Sequence, residues 1–203
     1  MKSLLLSSLI LISSCASYTK SFKEKERTVE IYSPGYLKNF KEKSFKISID
    51  AFGNHFGGIL VAKKLDNNHY RFALINEFGG KLMDFELKNN EFQLNYAIEQ
   101  LNRKIIINLL KKDFLLLFSE QNRIDHEFDN QSFIILESSI PNLKQPVYYY
   151  LNPETEKPES IILAGKKEKV KITFTESSNS VPDAEVTHGK LPIKIYLHLL
   201  ENN

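Results

Sequence analysis

Residues 69–98 read HYRFALINEFGGKLMDFELKNNEFQLNYAI. Tyr70, Phe72 and Leu74 fall on alternate positions, as do Met83, Phe85 and Leu87, and then Phe92, Leu94, Tyr96 and Ile98 against Gln93, Asn95 and Ala97. A period of two is the spacing of a strand with one face buried. The segments are separated by Asn76-Glu77-Phe78-Gly79-Gly80 and by Asn89-Asn90. Asn and Gly accept the left-handed backbone angles that tight turns need. Three strands joined this closely are antiparallel neighbours, so the stretch predicts a β-meander.

The pattern extends outward on both sides. Residues 45–51 alternate through Phe45, Ile47 and Ile49, and 56–64 form a second strand in which Gly57 and Gly58 predict a bend or bulge. Past Glu99 the period changes. Leu101, Ile105 and Leu109 recur four apart with Ile106 and Leu110 beside them, while Arg103, Lys104, Lys111 and Lys112 sit elsewhere on the wheel. That is an amphipathic helix, and the run DFLLLF at 113–118 continues it or opens a buried segment. Such a helix either covers the apolar side of the meander or lies on a membrane surface. Strands return at 132–136, 147–151, 160–164, 170–175 and 192–199, and 176–189 reads as a longer loop. The expected class is mainly β (α+β). A sheet of about ten or eleven antiparallel strands curls to hide its apolar face.

The 203 residues are 42% apolar, 26% charged and 11% aromatic, with a net charge of +2. These proportions describe a globular chain, and residues 44–203 carry no linker or repeat that would divide them. A near-neutral balance lacks the surplus of Lys and Arg that phosphate backbones require, so nucleic acid is not an expected partner. The single cysteine, Cys15, excludes an intrachain disulfide and a multi-cysteine metal site.

Cys15 has a particular setting. Met1-Lys2 is a basic start, and residues 3–14 (SLLLSSLILISS) are uncharged but too few to span a bilayer. Ile12-Ser13-Ser14-Cys15 resembles a bacterial lipobox: an aliphatic residue, two small residues and the cysteine that is acylated. Residues 1–14 are therefore expected to be a lipoprotein signal peptide, and 15–43 a lipidated tether and polar lead. The alternative is an ordinary secretory signal that contains a cysteine. Acyl chains on Cys15 would contribute roughly 0.8 kcal/mol per buried methylene to membrane anchoring. Ala16 and Ser17 resemble neither the inner-membrane retention pattern nor the surface-export pattern. The expected place is then the periplasmic face of an outer membrane.

No reaction centre emerges. His55, His69, His126, His188 and His198 are scattered, and His126-Glu127 lacks the second histidine of a zincin helix. There is no Gly-x-Ser-x-Gly elbow, and the paired glycines lie between strands, where they cannot form a phosphate loop. Neither enzymatic activity nor a cofactor or metal is expected.

The segment from His69 to Leu87 resembles a hairpin of the LolA/LolB superfamily, closest to its outer-membrane lipoprotein receptors, LolB. It has a Tyr-Arg strand (Tyr70-Arg71), a loop of type Asn-x-apolar-Gly (Asn76, Phe78, Gly79) and an alternating strand. The likeness runs over about residues 45–117. This chain departs from it in having no tryptophan, a residue common in the LolB cavity. The resemblance implies a half-open antiparallel barrel closed by helices, whose apolar cavity holds the acyl chains of lipoproteins. It also implies a monomer that receives its cargo from a LolA-like periplasmic carrier and inserts it into the outer membrane. Candidate cavity residues are Ile47, Ile49, Leu60, Phe72, Leu74, Met83, Phe85, Leu87, Phe92, Leu94, Tyr96, Ile172, Phe174, Ile195 and Leu197. Plain core packing is the alternative for each. From spacing alone, Phe78 either folds back on the sheet or stands out. The resemblance implies that Phe78 and Gly79 form a protruding loop that dips into the membrane. Two further readings stay open: an accessory lipoprotein with a filled core that binds a protein partner, and a hydrolase whose site a single sequence does not reveal.

Overall fold

The computed structural model describes residues 18–34, 40–177 and 181–200; Cys15 and the expected signal peptide lie outside the described residues. In chain order the strands are β1 (Lys23–Lys25), β2 (Ile31–Tyr32), β3 (Glu42–Ala51), β4 (Asn54–Asp66), β5 (His69–Ile75), β6 (Lys81–Lys88) and β7 (Glu91–Ala97). The helix α1 (Lys104–Phe118) follows, and then β8 (Asn122–Asp129), β9 (Ile134–Ser138), β10 (Val147–Leu151), β11 (Pro158–Ala164), β12 (Glu168–Thr175), β13 (Asp183–His188) and β14 (Leu191–Leu200).

Fourteen strands form one antiparallel sheet in the order β1-β8-β9-β10-β11-β12-β13-β14-β3-β4-β5-β6-β7, with β2 also paired to β8. The sheet curls without closing: β1 lies at one edge and β7 at the other. This is the expected class with four more strands than the sequence pattern marked, namely β1, β2, β8 and β13. The first two are short and lie in the charged lead. In β8 (NRIDHEFD) and β13 (DAEVTH), polar residues occupy buried positions, which breaks the hydrophobic alternation that a strand reading relies on.

Residues 102–118 resolve the helix question. The run at 113–118 continues the amphipathic segment as a single 15-residue helix. Its last six residues are buried on every side, as expected of a helix inside a protein and not on its surface. Phe114 meets Phe72 and Phe85 edge-on at 5.0 and 4.6 Å between ring centroids, and Phe118 meets Phe72 at 4.8 Å. Aromatic pairs of this geometry add roughly 0.5–1.5 kcal/mol each beyond the area they bury. The sheet therefore curls around α1, and its inner face and the helix form one continuous core.

The outer face of β8–β11 has its own cover. Phe128, Ile135, Tyr148, Tyr150 and Ile162 form a second apolar cluster against which Tyr18 and Phe22 pack. The Tyr18 hydroxyl lies 3.0 Å from that of Tyr150 and donates to Glu168 Oε1 at 3.0 Å. Further along, the buried Glu127 accepts from the Thr28 amide at 2.7 Å and pairs with Lys25 Nζ at 2.9 Å. Residues 18–34 are thus docked on the barrel, and this part of the lead is not a free tether.

Two local expectations are corrected. The β3–β4 ladder runs without a register shift through Gly57 and Gly58, so no bulge lies there. A bulge does occur between β6 and β7, where Phe85 pairs with Leu94 but Asp84 pairs with Tyr96. The extra residue reverses the alternation, because each strand position points to the face opposite its neighbour. Tyr96 consequently leaves the inner face and is 46% exposed.

Candidate functional site

The connection between β5 and β6 is built by Asn76. Its amide donates to the Gly80 carbonyl at 2.8 Å, and its own carbonyl accepts from Gly79 at 3.0 Å. Its side-chain Oδ1 accepts from the amides of Phe78 at 3.0 Å and Gly80 at 2.7 Å. Gly79 has φ +79°, the left-handed region that favours glycine. The turn thus satisfies its polar backbone internally and needs no support from the sheet. Phe78 stands at its tip, 96% exposed. The reading in which this ring folds back is not what the chain adopts. Leaving a phenylalanine in water forgoes on the order of 2 kcal/mol of burial.

The hairpin under Phe78 is braced. On its outer face Arg71 grips Asp84 with two parallel bonds, Nε to Oδ1 at 3.1 Å and Nη2 to Oδ2 at 3.0 Å. Lys81, the first residue after the turn, donates to the same carboxylate at 3.3 Å. The Arg71 bond holds the Asp84 carboxyl below its ordinary value against the opposing effect of burial. Below the turn, β4 passes very close to the end of β5. A side chain on Gly58 would place its Cβ 2.0 Å from the Ile75 carbonyl oxygen.

Of the fifteen residues expected on the inner face, eleven are at most 2% exposed: Ile47, Ile49, Leu60, Phe72, Leu74, Met83, Phe85, Leu87, Ile172, Ile195 and Leu197. Phe92, Leu94 and Phe174 are half-buried against the same core. The structure brings these fourteen together around α1, and it leaves Tyr96 outside.

The sequence reading missed the group that ties α1 to the opposite wall. Asp113 lies in the buried half of α1 and His188 closes β13, and both side chains are 1% exposed. His188 Nδ1 donates to the Ile193 carbonyl at 3.1 Å, and Nε2 lies 2.9 and 3.0 Å from the two Asp113 carboxyl oxygens. Because Nδ1 must carry a hydrogen, the bridge to Asp113 holds one further shared proton, as an ion pair or as a neutral acid and imidazole. Burial raises the Asp113 value, opposed by the bond to His188 and by Lys112. For His188, burial pulls the value down, but the bond to Asp113 overcomes it and the net shift is upward. A lone carboxylate in an apolar run was the available signal, since such a group is buried only with a partner.

The two ends of α1 differ. At the N-terminus Arg103 supplies no capping side chain, the first turn has no acid, and Ile105 is 45% exposed. A basic N-terminus opposes the helix dipole. The first turn is therefore uncapped, although Ile106, Leu109 and Leu110 are buried in the core, and the last two turns are held by Phe114, Phe118 and Asp113. The other four histidines each pair with one surface or half-buried carboxylate: Asp50, Glu86, Glu24 and Asp183. Among the described residues no group of three or more His, Cys, Asp or Glu is placed to hold a metal ion.

No protein-family model and no curated protein matches the sequence. Solved structures do share the fold. One is a LolA superfamily protein from Nitrosomonas europaea, with TM-score 0.54 and 8% identity over 79% of this chain and 83% of that one. Another is a domain proposed to belong to an outer membrane lipoprotein-sorting protein of Vibrio parahaemolyticus, with TM-score 0.52 and 7% identity over the same shares. The chain has the half-open barrel fold of these proteins.

Proposed function

We propose that this chain is a lipid-anchored envelope protein of LolB-like function. In this reading it holds acyl chains against the inner face of the barrel, receives lipoproteins from a LolA-like carrier and inserts them into the outer membrane. The observation that carries the reading is Phe78, a bare aromatic on a turn that is rigid without it. A ring held out of the fold at such cost is suited to enter the apolar edge of a bilayer. Acyl chains would enter beside the uncapped first turn of α1, and no bond-making chemistry is required. Phe78→Glu is expected to leave the melting temperature and acyl-chain uptake unchanged. Transfer of a bound lipoprotein to liposomes should fall roughly thirtyfold, the equivalent of about 2 kcal/mol. A loss of stability with no separate transfer defect would refute this role for the turn.

The membrane anchor in this reading is an acylated Cys15. Cys15→Ala, exported normally, should move the folded protein from the membrane fraction to the soluble periplasmic fraction. Retention in the membrane after a high-salt wash would count against the cysteine as anchor.

A second reading is favoured by the dense packing of eleven inner residues against α1. It makes the protein an accessory lipoprotein with a filled core that binds a protein partner. Mass spectrometry of the purified protein separates the two: stoichiometric bound lipid supports the first, and its absence with no uptake of added fatty acid supports the second.

A further inference from the structure

The N-terminal segment changes sides as it runs along the barrel. Tyr18 and Phe22 pack on the outer cluster of β8–β11, whereas Val29 and Tyr32 pack against the inner core. Between them the chain crosses β8, the strand at which the sheet would end without β1 and β2. The Tyr32 ring lies 4.8 Å from that of the fully buried Tyr149. Asn122 Nδ2 joins Tyr149 to Ser119, so this point lies at the C-terminal end of α1. Both ends of the crossing are fixed. Tyr18, Phe22 and β1 hold the outer end, and the buried Pro34 follows the inner one.

The crossing itself, residues 27–33, is held by few bonds. Its ladder with β8 has two pairs, Ile31 with Arg123 and Tyr32 with Asn122. Arg27 Nη1 donates to the Ile124 carbonyl at 2.7 Å, and the Ile124 amide donates to the Glu30 carbonyl at 2.9 Å. The Gln121 amide donates to Ser33 Oγ at 2.9 Å. Arg27, Thr28, Glu30 and Ile31 are exposed, so water replaces these bonds as they part. Glu127 would lose Thr28 but keep Lys25, which belongs to β1, and no buried charge is stranded. Asn122, opposite Tyr32, has a buried Oδ1 without a hydrogen-bond partner, a cost that opening to water relieves. Helix α1 has no such outlet, because Asp113 and His188 would part into an apolar core.

We propose that residues 27–33 are a closing strap that bows away from β8 while the barrel stays folded, opening the inner core beside Tyr149 to acyl chains. The proposal rests on the lipid-handling reading for the identity of the guest, and it adds the moving part. Val29 and Tyr32 hold apolar space in the unloaded protein, and cargo displaces them. Chains admitted beside the first turn of α1 thus gain room at its other end.

The test is a reversible lock. Ile31 and Arg123 are opposite each other and both exposed. Such pairs lie about 4.5–5.5 Å apart at Cα, within disulfide range. In the full chain with Cys15→Ala, Ile31→Cys and Arg123→Cys supply the only thiols. Palmitate binding is measured by calorimetry on the reduced and oxidised forms of this one protein. Oxidation should weaken binding roughly tenfold or more, because the competent form is then withheld. Tyr32→Ala, which removes the plug and keeps the backbone bonds, should tighten palmitate binding about tenfold. Hydrogen exchange at the Ile124 amide reads the opening without ligand. It should proceed by local opening, faster than at Tyr149 in the middle of the sheet, and slow on oxidation. Exchange at Ile124 only through global unfolding overturns the strap. So does measurable palmitate binding that is equal in the two redox forms, or weakened by Tyr32→Ala. Local opening with no palmitate bound in either form defeats the lipid-handling reading alone. Binding indifferent to the lock defeats the strap alone.

Discussion

Asp113→Ala should lower the stability of the folded chain by about 3–5 kcal/mol, the usual consequence of removing one member of a fully buried pair. For a domain of this size that corresponds to a fall of roughly 10 °C in melting temperature. The cause is the imidazole left behind: His188 Nε2 would face apolar side chains with no partner and no route to water. Replacing both residues by leucine should recover most of the loss, because no unpaired polar atom then remains. The bridge also gives a pH signature. Both groups keep their proton to higher pH in the folded chain than when free. Above the ordinary histidine value of 6.5 the folded state therefore binds more protons than the unfolded one, and stability falls as pH rises through the raised folded value. Chemical denaturation between about pH 6 and pH 9 checks this: the native chain should lose stability across that range relative to the double-leucine variant. A flat difference would show that the pair does not carry the proton assigned to it.

Gly58→Ala should cost about 3 kcal/mol or more, while Gly57→Ala should be close to neutral. The two positions are adjacent in β4 and chemically identical. At Gly57 an added Cβ meets only the His55 ring nitrogen at 3.5 Å, an ordinary contact. At Gly58 it meets the backbone oxygen of Ile75 at 2.0 Å, and also lies 3.2 Å from the Cα of Asn76. The end of β5 would have to move away from β4, and with it the Asn76 turn that holds Phe78 in place. Denaturant unfolding of both variants measures the difference. Hydrogen exchange at the Phe78 and Gly80 amides reports whether the turn loosens along with the strand, and equal stabilities would refute the close crossing.

The meander of β3 to β7 and the helix were legible because their apolar residues obey one period at a time. Phe78 was legible as a turn residue, and its full exposure adds what spacing left undecided. What escaped the sequence did so for physical reasons. His188 lies at the end of a strand whose buried positions are Ala184, Val186 and the histidine itself, too weak an alternation to mark a strand. Asp113 in its apolar run signalled a buried partner, but nothing local marked that partner as His188, 75 positions away. Tyr96 was misplaced because a single extra residue in β7 turns every later side chain over. The packing of Tyr18 and Phe22 was hidden because these two aromatics sit in a polar segment, and their receptor, the outer face of β8–β11, is assembled only by the fold.

The position of β14 governs the order in which this chain can fold. The strand lies between β13 and β3, and its residue Ile195 pairs with Ile49, 146 positions earlier. The meander of β3 to β7 and that of β8 to β13 each consist of local hairpins and can form early, on the timescale of short-loop closure. Neither half can join the other until residues 191–200 reach the gap between them. The inner wall and the buried bridge between α1 and β13 are therefore completed together, in one late step. Until that step the apolar faces that β14 joins stay open to solvent, the condition in which chains of this size are most exposed to aggregation.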